Sequence, residues 1–139
     1  ILYVGYLGVA VGLLVGAAHL AGYVVRPAWP AHVIGVAGFS VLILGMVTRT
    51  ALGHLGRPLQ TDRSMVASYA LMILAALLRL AALLPTAATT GLLHAATTAW
   101  VLALALYLWR FFPMMIRPRA DAAKPAAPIM RVVPVVRRS

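Results

Sequence analysis

Four apolar runs, each about as long as a bilayer crossing, limit what this chain can become. They lie at 2–25, 32–53, 65–84 and 92–112, and none contains Asp or Glu. About 20 residues of helix rise about 30 Å, the hydrocarbon thickness of a membrane. Lipid offers backbone N–H and C=O groups no partners, so each run must satisfy its own as a helix. Strands of a membrane barrel would be shorter and would alternate in polarity, which these runs do not. Composition agrees, with 63% of the 139 residues hydrophobic and 10% charged, against about 25% charged in soluble domains. The fold class is therefore all-α: a polytopic integral membrane protein with a four-helix transmembrane bundle in residues 1–113. A basic, Ala/Pro-rich tail in 114–139 follows.

The breaks between runs carry stop and start chemistry. Arg26-Pro27-Ala28-Trp29-Pro30 separates the first two runs, because prolines remove donors and restrict their predecessors. Gly56-Arg57-Pro58 ends the second, and Thr61, Asp62 or Ser64 can cap the third. Thr89 or Thr90 is the expected cap of the fourth. The first run reads as a span and not as a secretory leader, having no basic residues before it and exceeding a leader's apolar core in length.

Charge sets the direction. The chain has 12 basic and 2 acidic residues, a formal +10. Arg49, Arg57 and Arg63 in the second loop region, and Arg110, Arg117, Arg119, Lys124, Arg131, Arg137 and Arg138 at the end of the chain, fall on one side of a four-span protein. The positive-inside rule places that loop and the C-terminal tail in the cytoplasm. The tail reads as an electrostatic tether to anionic headgroups. The basic residues are spread between apolar runs and form no aromatic-interleaved face, so nucleic acid is not the partner. The partners implied are the lipid bilayer and other membrane helices, in a homo-oligomer or a larger complex. Gly8, Gly12 and Gly16 make two small-xxx-small steps on the first span, a surface for close helix approach within this chain or from another.

The chain has no cysteine, which leaves His, Met and oxygen as ligand types. His19 near the end of the first span, His32 at the start of the second and His94 in the first turn of the fourth share one predicted leaflet. Imidazole is a common ligand of haem iron and of copper. Histidines at this depth also serve as partners of headgroups, loop carbonyls or water, and both readings stand. Arg79 is expected in the third span, about 9 Å of rise from that end, where a cation is unfavourable by up to about 3 kcal/mol. Snorkelling relieves this, as would an anionic partner such as a haem propionate. His54 lies at the opposite end of the second span, about 33 Å from His32 along a straight helix, so one cofactor cannot use both. At 100° per residue His32, Phe39, Met46, Thr50 and His54 fall on one broad face, expected to point into the bundle.

No paired carboxylates, HExxH, Ser-His-Asp set or phosphate-binding glycine loop is present. Hydrolase and kinase readings lose their support, and the chain reads as no enzyme by itself, although a bound cofactor can carry redox chemistry.

Family features run through the chain. They are His32-Val33-Ile34-Gly35-Val36-Ala37-Gly38, then Leu44-Gly45-Met46-Val47-Thr48-Arg49, then Ala51-Leu52-Gly53-His54-Leu55-Gly56-Arg57-Pro58-Leu59. With the segment ending at Arg79 and the Arg110-Phe111-Phe112-Pro113 exit, they resemble the NnrS family of haem- and copper-containing membrane proteins. The resemblance is to the last four spans of the much longer family members. It implies a place in the bacterial inner membrane and a role in handling nitric oxide stress, beside denitrification functions. It implies haem, of the b type, and copper as cofactors. His32 and His54 are then the leading metal ligands, with His19 and His94 added by depth. Arg79 and Arg49 are candidate cofactor-binding cations. The alternative is a non-catalytic structural or assembly subunit of a larger membrane complex. A small transporter ranks last, since no internal duplication or acidic relay residue is evident.

Overall fold

The computed structural model describes residues 1–118. The described chain contains four long helices, all apolar and long enough to cross a membrane: α1 (Leu2–Leu20), α2 (Ala28–His54), α3 (Arg63–Ala81) and α4 (Thr89–Met115). The part of the expected tail from residue 119 onward lies outside the described residues.

Two glycines decide where α1 and α2 stop. Gly22 has φ +83° and Gly56 has φ +63°, the left-handed region that only glycine enters without strain. At each, paired bonds close the helix end. Tyr23 N–H donates to the Ala18 carbonyl at 2.9 Å and Gly22 N–H to His19 at 3.0 Å. Arg57 N–H donates to Leu52 at 3.0 Å and Gly56 N–H to Gly53 at 3.2 Å. This is the Schellman termination. The first helix thus ends at Leu20, five residues before the expected boundary, because Gly22 acts before the prolines do.

The prolines have a different role from the expected one. Pro30 sits inside the first turn of α2, which starts at Ala28. A first turn has no intrahelical acceptors for its N–H groups, so a missing donor costs little there. The fourth helix likewise begins at Thr89 with Ala88 as its cap residue and no side-chain cap. The Thr89 hydroxyl donates backward to the Thr86 carbonyl at 2.7 Å, so neither threonine caps the helix as expected. The same helix carries Pro113 within its last turn and continues to Met115.

Part of α2 is not a regular α-helix. Val33–Ser40 is π-helical, with α-helix before and after it. Its glycines Gly35 and Gly38 lower the resistance to an unusual winding, and the Ser40 hydroxyl donates to the Gly35 carbonyl at 3.1 Å. Against this segment lies the glycine ridge of α1. A Cβ added to Gly8 would come within 2.4 Å of the Ala37 carbonyl oxygen, and one added to Gly12 within 2.4 Å of Ile34 Cγ1. The ridge therefore has its partner inside this chain.

The second pair, α3 and α4, packs through small residues as well. Ala75 and Ala76 on α3, and Ala96, Ala99 and Ala103 on α4, are buried. Inside lipid, such contact is driven by dispersion and by backbone-level hydrogen bonds. The buried Ser68 hydroxyl donates to the Ala103 carbonyl at 2.7 Å. One buried cluster joins Val41 and Leu44 of α2 to Met72 and Ala103. Another joins Leu52, Met65, Phe111 and Met114, with Tyr107 stacked on Phe111 at 4.8 Å. Between the clusters Thr48 is hydrogen-bonded to the Tyr69 hydroxyl and to the carbonyls of Leu44 and Gly45. At one end Asp62 caps α3, accepting from Met65 N–H at 2.9 Å and Ser64 Oγ at 2.6 Å, and pairs with Arg110 of α4. At the other end Arg26 donates to the Leu83 carbonyl at 2.7 Å, tying the first loop to the end of α3.

Candidate functional site

The helix ends dictate which polar side chains meet. With antiparallel neighbours, the end of α1, the start of α2, the end of α3 and the start of α4 share one side. That side carries His19, His32, Arg79 and His94. The opposite side carries Arg49, His54, Asp62 and Arg110.

His32 stands immediately before the π segment, with Nδ1 2.8 Å from the Ala28 carbonyl oxygen. A carbonyl only accepts, so Nδ1 is the donor, and in a neutral ring Nε2 then keeps the lone pair. Metal-bound imidazoles are oriented in this manner, their second nitrogen donating to a carbonyl or carboxylate. His19, in the last turn of α1, repeats the arrangement with the Val24 carbonyl at 2.5 Å. Both rings are half-buried, whereas His94 is exposed. Among the described residues no group of three or more His, Cys, Asp or Glu side chains is placed to hold one metal ion. The three imidazoles thus share an end of the bundle without forming one centre of their own.

Arg79 differs from its expected depth. Because α3 ends at Ala81, the guanidinium is carried in the last turn, about 3 Å of rise from the helix end. A cation there complements the negative end of the helix dipole. Arg79 lines a groove of about 180 Å³ between the π segment, α3 and α4, whose walls include Val36, Ser40, Ala96, Thr97 and Trp100. It is the sort of recess in which a partly shielded cation meets a small anionic group.

His54 is exposed in the last turn of α2. It lines a groove of about 460 Å³ with Met46, Thr50, Tyr107 and Met115. The face of α2 bearing Phe39, Met46 and His54 was expected to point inward. It points outward, with Phe39 52% and Met46 55% exposed. The buried face is instead Val41, Leu44, Gly45, Thr48 and Leu52. The wheel itself holds, since Phe39, Met46, Thr50 and His54 are exposed together; its inward side is the one whose apolar and small residues meet the neighbouring helices. Arg49, the other candidate cofactor-binding cation, lines a different cavity with no imidazole in its walls. Sequence reasoning missed the Met46 and Met115 pairing around His54, since their proximity depends on α4 continuing past Pro113.

Apolar helices of bilayer length, packed through glycine and alanine, with carbonyl-oriented histidines at their ends, define a polytopic α-helical membrane protein with candidate cofactor ligands. A family model described as NnrS protein matches residues 1–119, and the chain belongs to the NnrS family. No curated protein and no solved structure matches it.

Proposed function

We propose that this chain binds haem, copper or both as part of the response to nitric oxide stress. The observation that carries the reading is His32, whose Nδ1 is occupied by the Ala28 carbonyl while the half-buried ring keeps Nε2 for a metal. A b-type haem at this end of the bundle would supply an iron able to bind a diatomic ligand. The chain's own part is to hold and orient: His32, with His19 as second candidate, offers a fixed imidazole. Arg79 offers a cation to a propionate from its groove. Val36 of α2 and Ala96 and Trp100 of α4 give that groove apolar walls beside the cation. The opposite groove suits copper by its donors, since imidazole and thioether from His54, Met46 and Met115 are borderline to soft ligands. In this reading the protein lies in the bacterial inner membrane, with the α2–α3 loop and the tail in the cytoplasm.

The test is the absorption spectrum and metal content of the full chain after expression with haem and copper supplied. A Soret band that falls by more than half in His32→Ala, and holds in His94→Ala, supports the reading. Absence of both the Soret band and copper in the wild type overturns it. A structural or assembly role is the second reading, favoured by α1, whose buried residues are Gly5 and Gly12. Its other residues lie partly or fully open to lipid or to further helices. Co-purification of a stoichiometric membrane partner, with His32→Ala and His54→Ala behaving as wild type, would select this role.

A further inference from the structure

We propose that the cavity around Arg49 binds the phosphate of an anionic phospholipid. The cavity has a volume of about 500 Å³ and lies between the start of α1, the second half of α2, the loop before α3 and the start of α3. This size falls within the range of about 300–1,000 Å³ typical of ligand clefts. Its walls divide by chemistry. Arg49, Gln60, Thr61 and Tyr69 supply polar atoms, while Leu52 and Leu59 supply apolar surface. Gly45 allows the close approach that forms the floor, for a Cβ there would lie 2.8 Å from Leu2 Cδ2.

The charge pattern identifies the occupant. Among the described residues the one carboxylate side chain is Asp62, and Arg110 holds it. Arg49 thus has no carboxylate partner among them. Arg57, Arg63, Arg110 and Arg117 belong to the same end of the bundle, so that end attracts anions as a whole. Arg49 stands five residues before the end of α2, about 7.5 Å of rise, which is the depth of the headgroup boundary. A guanidinium there presents a planar fork of donors to phosphate oxygens, and Gln60 and Thr61 add neutral donors. Leu52 and Leu59 face the first carbons of the acyl chains. Basic pockets between membrane helices hold anionic lipid headgroups by the same combination. No imidazole lines the cavity, so this site is independent of the metal reading.

The experiment titrates the detergent-purified full chain with phosphatidylglycerol, phosphatidylcholine and inorganic phosphate, and reads bound species by native mass spectrometry. One phosphatidylglycerol is expected per chain, bound about tenfold more tightly than phosphatidylcholine, which offers the same phosphate but sets its choline cation beside Arg49. Arg49→Gln removes that preference. Leu59→Glu, on the exposed rim of the cavity, removes it by placing a carboxylate beside the phosphate, which keeps the test decisive if Arg49→Gln misfolds. Arg57→Gln, outside the cavity walls, retains it. Wild-type retention in both Arg49→Gln and Leu59→Glu overturns the proposal. So does an equal loss in Arg57→Gln, which would reveal diffuse attraction by the basic end. Displacement of the lipid by equimolar inorganic phosphate would assign the cavity to free phosphate and overturn the lipid assignment.

Discussion

Gly8→Ala is expected to loosen α1 from α2, and its size follows from the backbone. The new methyl carbon would stand 2.4 Å from the Ala37 carbonyl oxygen, 2.6 Å from Ala37 C and 2.8 Å from Gly38 N. Ordinary contact begins near 3.4 Å, so the helices must separate by about 1 Å at this point. No rotamer change can relieve the clash, because the opposing atoms are main chain. Overpacking costs about 1–3 kcal/mol in general, and an unyielding neighbour places this case near 3. Gly53→Ala and Gly91→Ala are internal controls, since nothing lies within 4 Å of either new methyl. In a helix these should gain about 0.4–1 kcal/mol by lowering the freedom of the unfolded chain. The assay is denaturant unfolding in detergent micelles, followed by circular dichroism at constant m-value. A Gly8→Ala variant as stable as Gly53→Ala would refute the close contact between α1 and the π segment.

Two further outcomes rest on polar contacts. Asp62 is held at about 2, below its ordinary 3.8. The Ser64 hydroxyl is the main cause; burial, the next largest effect, works the other way, and Met65 N–H and Arg110 add to the lowering. A carboxyl depressed in the folded state stabilises fully above 3.8 and loses that contribution as pH falls toward 2. The midpoint of thermal unfolding should therefore drop between pH 4 and 2 in the wild type. The drop should flatten in Asp62→Asn, which keeps a good cap and at neutral pH loses about 0.5 kcal/mol with the Arg110 ion pair. Ser68→Ala leaves the Ala103 carbonyl without its side-chain donor and should cost about 0.6–1 kcal/mol in the same unfolding assay. A neutral effect would mean that the hydroxyl contributes nothing to the α3–α4 contact.

The number of spans, their order and their helical nature were legible because lipid leaves an apolar run of this length one backbone solution. The ends were less so. Gly22 in Ala21-Gly22-Tyr23 is a C-terminal glycine signal that the more conspicuous Pro27 and Pro30 obscured, and Pro30 proved compatible with a first turn. The face of α2 was misjudged because polar side chains at helical spacing do not say which side a neighbour covers: Val41, Leu44, Gly45, Thr48 and Leu52 pack inward while Met46, Thr50 and His54 face out. Nothing in Val33–Ser40 announces a π segment beyond its two glycines. The candidate histidines could be placed by helix end from sequence. The carbonyl partners of His19 and His32 could not, since they depend on where each helix starts and stops. Arg79 moved toward the helix terminus for the same reason. The pairing of Asp62 with Arg110, 48 positions apart, required the α3–α4 hairpin to close before it became visible.

The wider winding of Val33–Ser40 has a consequence for how this chain can vary. A turn that already takes in a surplus residue can lose one and tighten to ordinary pitch while the flanking stretches keep their orientation. A deletion between Val41 and Thr48 has no such slack, and would turn Thr48 about 100° away from Tyr69. The second helix is therefore expected to accept a one-residue deletion within Val33–Ser40 more readily than one between Val41 and Thr48.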